Sequence, residues 1–290
     1  MGSIRNIFWI ALVFLFACSQ SKVDDSVSKA EVFEPKGEGN LFIIGGGTRS
    51  LSLMEDMVRV ADLQDDDYVL VFSQSSSEPD TSFHYVNIQF KEVSQATVIH
   101  VDSAAVQTMN VDSISGAQLI YITGGDQNRF LNSVPEKVID AIIAAYENGS
   151  TIAGTSAGAA LMSSVMITGD QKLEEEYRST YPWLNYDNGI YKEGLGLVDS
   201  IIVDQHFVAR SRYNRIISAM ADKNLPLGAG IDESTALVVG PDFCQVMGEG
   251  QVLIFERPEE YSNYNSRIGF RSLKIHSFLP GDTINLNELP

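Results

Sequence analysis

Thr151-Ile152-Ala153-Gly154-Thr155-Ser156-Ala157-Gly158-Ala159-Ala160 reads as a short strand that turns sharply into a helix. Residues 154–158 fit Gly-x-Ser-x-Gly, with a strand before the first glycine and a small-residue helical run after the second. A turn this tight forces backbones together, so the positions beside the serine must be Gly or Ala. It also holds the serine hydroxyl out at the sheet edge, on a helix N-terminus whose dipole and free N–H groups favour an oxyanion. The Ala157 N–H is the natural first donor to that oxyanion. A second donor is expected from a neighbouring strand-end glycine, Gly125 or Gly124. The plainer alternative is a packing turn that carries an unreactive serine.

Outward from this turn, strands and helices alternate. Leu41-Phe42-Ile43-Ile44 is an apolar run that ends in Gly45-Gly46-Gly47, and Thr48 can cap a helix through about residue 63. Strands are expected at 68–72, 97–101, 118–123 and 151–153. Helices are expected from about 80 to 92 and from Pro135 to about 147. This alternation implies an α/β fold with a doubly wound, mostly parallel sheet, which binds ligands at the carboxyl ends of its strands. After about residue 225 the runs 226–231, 236–240, 243–247 and 252–255 read as antiparallel strands added at one edge. The stretch 169–194 reads as an irregular lid or inserted loop.

A serine at its ordinary pKa is a poor nucleophile and needs a base that a third group orients. Of the four histidines, His84 falls in an expected helix, His100 in an apolar strand and His276 in an alternating C-terminal segment. His206 ends the run Ile201-Ile202-Val203-Asp204-Gln205, where a buried strand turns polar, and so belongs at the same rim as Ser156. The strand ending at Gly230-Ile231 runs into Asp232-Glu233. Two adjacent acids point opposite ways. One can orient the base while the other caps a turn, and spacing alone does not choose between them.

Together, Gly45-Gly46-Gly47, Thr123-Gly124-Gly125-Asp126-Gln127, Gly154-Thr155-Ser156-Ala157-Gly158, Asp204-Gln205-His206-Phe207 and Gly230-Ile231-Asp232-Glu233 resemble the cyanophycinase and peptidase E family of serine peptidases. The resemblance spans about residues 40–255. It is closer to the cyanophycinase branch, because Arg210, Arg212 and Arg215 follow His206. It implies a glutamine-amidotransferase-like fold, a Ser156–His206–Glu233 triad, and a substrate cleft lined by Gln127, Asp204, Arg210, Arg212 and Arg215. It also implies a substrate of the cyanophycin type, a poly-aspartate backbone with arginine on each side-chain carboxyl, cleaved to β-aspartyl-arginine. A homodimer is a further suggestion of the family. No metal or organic cofactor is called for. Arginines can clamp the carboxylates of such a substrate, and Asp, Glu or Gln can receive its guanidinium groups. Two features depart from the family pattern: Thr48-Arg49 after the first glycines, where many relatives carry an acid, and the length of 169–194.

Composition narrows the partners. The 290 residues carry 38 Asp+Glu against 20 Lys+Arg, a net charge of −18, which disfavours nucleic acid and anionic membrane surfaces. Residues 1–17 form a signal peptide: Arg5 supplies the positive end, and the apolar run 7–17 is shorter than the about 20 residues a bilayer span needs. The run ends in Leu15-Phe16-Ala17-Cys18, a lipoprotein-type cleavage box with Cys18 as the lipid attachment. Residues 18–39 then form a flexible tether and 40–290 a single peptidase domain, anchored to a bacterial membrane only through lipid or else secreted. Cys244 is left as a small buried hydrophobe.

Three other readings compete. An α/β-hydrolase esterase would use the chain order Ser156, then Asp232 or Glu233, then His276. A peptidase of the same family could act on other aspartyl or isoaspartyl peptides. A lipid-anchored binding protein would keep the cleft without the chemistry. Dinucleotide binding at Gly45-Gly46-Gly47 fails, since position 50 of the Gly-x-Gly-x-x-Gly pattern is Ser50.

Overall fold

The computed structural model describes residues 35–174, 176–286 and 288–289. The expected signal peptide, the expected lipid attachment at Cys18 and most of the expected tether lie outside the described residues. Among the described residues no helix is long and apolar enough to cross a membrane.

Five parallel strands make up one side of a seven-stranded sheet, out to its edge at β3: β1 (Leu41–Ile44), β2 (Tyr68–Phe72), β3 (Thr97–Val101), β4 (Leu119–Ile122) and β5 (Thr151–Thr155). They lie in the order β1-β5-β4-β2-β3. The helices between them are α1 (Leu51–Val60), α2 (Pro79–Val93), the single turns α3 (Ala105–Thr108) and α4 (Asp112–Ser115), α5 (Gln127–Ser133), α6 (Glu136–Glu147) and α7 (Ala157–Ala160). The period of two along each strand explains the layering. Leu41, Ile43, Leu70, Phe72, Ile120 and Ile122 face a core shared with α5, α6 and α7. Phe42, Ile44, Val69, Val71, Leu119 and Tyr121 face the opposite core, under α1 and α2. With both faces covered, β1, β2 and β4 read as unbroken apolar runs, as buried parallel strands do. Helix α6 closes one layer with Val138, Ile142, Ala145 and Tyr146, a stripe at helical spacing.

Helix α1 begins later than Thr48. Its cap is Ser50, whose Oγ accepts the Leu53 N–H at 3.4 Å. The chain stays extended before it, where Arg49 reaches across to donate to Gln89 Oε1 on α2 at 2.7 and 2.9 Å.

Strands β10 (Thr235–Val239) and β11 (Cys244–Gly248) add antiparallel at the β1 edge, as expected. The runs at 226–231 and 252–255 go elsewhere. They become β9 (Leu227–Ile231) and β12 (Val252–Glu256) of a second, four-stranded sheet, with β8 (Ile201–Gln205) and β15 (Lys274–Phe278) at its edges in the order β15-β12-β9-β8. Strands β8 and β9 are parallel. One face of this sheet joins the core of the first through Val203, Ala229, Ile231 and Ile254. Helix α8 (Tyr213–Lys223) covers the other face, where Ile216 and Met220 pack near Phe207 and Phe255. Gly230 makes this possible: a Cβ there would lie 2.4 Å from Phe207 Cγ.

The stretch 169–194 is more ordered than a free loop. Strands β6 (Val165–Gln171) and β7 (Gly189–Glu193) pair antiparallel around it. A second hairpin, β13 (Glu260–Tyr264) and β14 (Arg267–Arg271), braces the connection. The Tyr186 N–H donates to Ser266 O at 2.8 Å and the Ile268 N–H to Leu184 O at 3.0 Å.

The topology brings the carboxyl ends of β1, β4, β5, β8 and β9 to one rim. The His206 N–H donates to Gly45 O at 2.7 Å, tying the end of β8 to the end of β1. The turn after β5 is close-packed: a Cβ on Gly158 would meet Ile122 O at 2.4 Å, and one on Gly154 would meet Gly158 O at 2.5 Å. Because both obstacles are backbone, Gly158→Val is expected to lower stability by about 1–3 kcal/mol or more through overpacking. Urea denaturation of the purified variant measures this.

Candidate active site

Ser156 sits at the turn with φ 53° and ψ −106°, a conformation that L residues rarely adopt. The strain is held by close packing on both sides of the turn and by the Ser156 N–H, which donates to Ile44 O at 3.0 Å. The result aims the hydroxyl across the rim. Ser156 Oγ lies 2.9 Å from His206 Nε2, and His206 Nδ1 lies 2.5 Å from Glu233 Oε1. His206 also has a positive φ, 49°, and is only 7 % exposed.

The glycine triplet after β1 supplies the space for this file. A Cβ on Gly46 would lie 2.3 Å from His206 Cε1, and one on Gly47 would lie 2.7 Å from Glu233 Cβ. Both glycines have positive φ. The Ser234 N–H donates to Gly46 O at 2.8 Å and fixes the loop that carries Glu233. The two adjacent acids divide: Asp232 Oδ1 instead accepts the Ala209 N–H at 3.1 Å, capping the turn after His206.

Burial disfavours the imidazolium and lowers the His206 pKa below its ordinary value. The hydrogen bond to Glu233 opposes that shift, while Arg210 and Arg212 reinforce it. A neutral imidazole whose Nδ1–H donates to Glu233 leaves Nε2 free to accept the serine proton.

The Gly124-Gly125 turn lies against the serine, with a Cβ on Gly124 placed 3.3 Å from Ser156 Cβ. Neither the Gly125 N–H nor the Ala157 N–H has a backbone acceptor among the described residues. The other histidines have different neighbours. His100 Nε2 lies 2.7 Å from Ser73 Oγ, and His276 Nε2 lies 2.5 Å from Glu256 Oε1 on the edge of the second sheet away from β8. The imidazole beside Ser156 is thus the one at 206, not the one at 276.

A cavity of about 280 Å³ opens beside Ser156, with Gln127, Gln205, Arg210, Arg212 and Arg215 in its wall. Asp204 is absent from that wall. It is an interior residue of β8, 1 % exposed, and its carboxylate pairs with Arg215 through Nε at 2.8 Å and through Nη2. The Asp204 expectation is corrected accordingly: it lies beneath the cleft, because a buried guanidinium needs a buried counter-charge. Arg212 precedes α8 and Arg215 lies in its first turn, and both are buried. Arg212 donates to Ser179 O, to Gln205 O and to the Tyr177 hydroxyl, at 3.1, 2.6 and 3.1 Å. Burial and Arg215 together bring its pKa down to about 10. Arg210 is half-buried; its backbone N–H donates to His206 O at 3.0 Å, and its guanidinium makes no hydrogen bond or ion pair with any described residue.

Gln127 also differs from expectation. It borders the cavity, but its amide donates to Ile167 O at 2.7 Å and to Thr168 O at 3.0 Å. Sequence reasoning passed over Gln205, whose Oε1 lies 3.5 Å from Ser156 Oγ, and also Asp170 and Tyr177 in the cavity wall. For Gln205 the available signal was its place directly before His206 at a strand end. Nothing in the local pattern marks Asp170 or Tyr177.

The model of peptidase family S51 matches residues 41–246. Cyanophycinase of Trichormus variabilis is 33 % identical over 239 residues, covering 76 % of this chain and 76 % of its own. Cyanophycinase of Synechococcus elongatus is 30 % identical over 229 residues, covering 74 % and 69 %. Among solved structures, the crystal structure of a peptidase from an acI-B1 Actinobacterium aligns with a TM-score of 0.61. That alignment covers 87 % of this chain and 98 % of the other at 17 % identity, a likeness of fold.

The pair under the cleft yields a stability test. Asp204→Ala strands two buried guanidinium groups, and its expected cost is about 3–5 kcal/mol. Chemical denaturation followed by circular dichroism measures it.

Proposed function

The chain belongs to peptidase family S51, and we propose that it is a serine-type exopeptidase that hydrolyses cyanophycin to β-aspartyl-arginine. The observation that carries the serine-type reading is the file Ser156–His206–Glu233, with contacts of 2.9 and 2.5 Å. The substrate reading is supported by the cyanophycinases of similar sequence and by the arginine-rich wall beside Ser156.

In this reading Ser156 Oγ attacks the scissile carbonyl while its proton passes to His206 Nε2. The N–H groups of Ala157 and Gly125 receive the oxyanion. Glu233 holds the imidazole in the productive tautomer and stabilises the imidazolium as it forms. Collapse of the tetrahedral species breaks the peptide bond, and the leaving amine takes the proton from His206. A water then adds to the acyl-enzyme, with His206 again as base, and frees Ser156. Arg210, whose guanidinium pairs with no described residue, is the group best placed to clamp a substrate carboxylate.

Ser156→Ala is expected to abolish release of β-aspartyl-arginine from purified cyanophycin and to end labelling by a fluorophosphonate. Labelling without cyanophycin cleavage, but with turnover of α-aspartyl dipeptides, would move the substrate to other aspartyl peptides. Absence of both labelling and turnover in the native chain would favour a binding protein.

The pH profile follows from the base. His206 must be neutral to accept the proton, and burial lowers its pKa below that of a free imidazole. The acid limb of kcat/KM should therefore lie at lower pH than the titration of a free imidazole. Glu233→Gln removes the group that raises this pKa, so the acid limb moves further down while the rate drops by about 10²–10⁴-fold. Steady-state rates between pH 4 and pH 9, a range of about five units around the imidazole value, test both shifts.

A further inference from the structure

The cavity beside Ser156 is charged on both sides of neutral. Arg210, Arg212 and Arg215 border it, and so do Asp126 and Asp170. Most of these charges are already engaged. Arg215 holds Asp204, Arg212 has three acceptors, and Asp126 Oδ1 accepts the Asn128 N–H at 2.8 Å as the cap of α5. One cation and one anion remain. Neither the Arg210 guanidinium nor the Asp170 carboxylate makes a hydrogen bond or ion pair with any described residue.

Asp170 reaches the cavity through a local device. The pairing of β6 with β7 shifts register between Ile167 and Gln171. Within that shift Gly169 has φ +97°, and the Asp170 N–H donates to Thr168 Oγ1 at 3.2 Å. Such bulges re-aim a side chain and are common beside active sites. The buried Gln127 amide fixes this one, donating to Ile167 O and Thr168 O. Asn128 borders the same cavity, and its buried Oδ1 finds no donor among the described residues. An unpaired carboxylate in the cavity wall suits a planar group rich in N–H donors.

Resting on the cyanophycin reading above, we propose that Asp170, presented by the Gln127-held bulge, receives the guanidinium of the substrate's arginyl group while Arg210 takes its carboxylate. Asp170 is thus a specificity-determining residue, and the cleft selects a residue that carries both charges. Gln127 is a positioning residue for it. The carboxylate is exposed in the free protein, where an ion pair would be weak. A substrate that covers it strengthens the pair by excluding water.

The test uses the full chain carrying Ser156→Ala, so that bound ligand is not turned over. Calorimetric titration compares β-aspartyl-arginine with β-aspartyl-citrulline, whose neutral urea replaces the guanidinium at nearly the same shape. The arginine dipeptide is expected to bind about tenfold to a hundredfold more tightly. Adding Asp170→Asn should bring that ratio close to one. An unchanged ratio in the Asp170→Asn chain overturns the proposal, and so does equal or undetectable binding of the two dipeptides before it is introduced. Cyanophycin hydrolysis by the native chain is scored separately. No hydrolysis with the Asp170-dependent ratio intact removes the substrate reading and keeps the cation subsite. Hydrolysis with no such ratio does the reverse.

Discussion

A single hydrogen bond, from the His206 N–H to Gly45 O, ties together strands that belong to different sheets. Around it the Gly45-Gly46-Gly47 turn does what no other residue type could. Its second glycine leaves room for the imidazole and its third for the Glu233 side chain. The serine arrives from β5, beside β1 in the first sheet. The base and the acid arrive from β8 and β9 of the second. The reacting groups meet only because the two sheets end at the same rim at this spacing. The positive φ values at Ser156 and His206 are the local cost of that meeting, held in place by the packing around them.

Beneath the rim, charge is handled by separation. The Asp204–Arg215 pair and Arg212 are buried at the base of the cleft, where each charge has partners. Arg210 and Asp170 stand at the surface of the cavity without any. A buried ion pair of this kind contributes little net stability, but it defines which arginines are fixed and which is free to meet a ligand.

Much of this was legible in the chain before its folding was known. The runs at 41–44 and 68–72 are strands because apolar positions on both faces leave an unbroken apolar signal. The serine turn was legible because close backbone approach demands Gly154 and Gly158. His206 could be chosen over His276 because it ends a buried run. The second sheet was not legible: Leu227-Gly228-Ala229-Gly230-Ile231 is buried throughout, so no alternation reveals which strands it pairs with. The partner of Arg215 was equally hidden, since Asp204 lies on another element and the two meet only after α8 folds over β8. Gln127 shows the limit of carrying a role by resemblance. It stands at the expected place but turns its amide to the backbone of β6.

The brace of β13–β14 against residues 184–186 has a consequence for how such an enzyme can diversify. Every group assigned to bond breaking lies between residues 125 and 233. The wall that carries Asp170 and Tyr177 leans on a hairpin encoded after residue 259. If the wall selects the substrate as proposed, drift in that late stretch would reshape what the mouth accepts while leaving the Ser156–His206–Glu233 file untouched, so appetite and chemistry can evolve on separate schedules within one polypeptide.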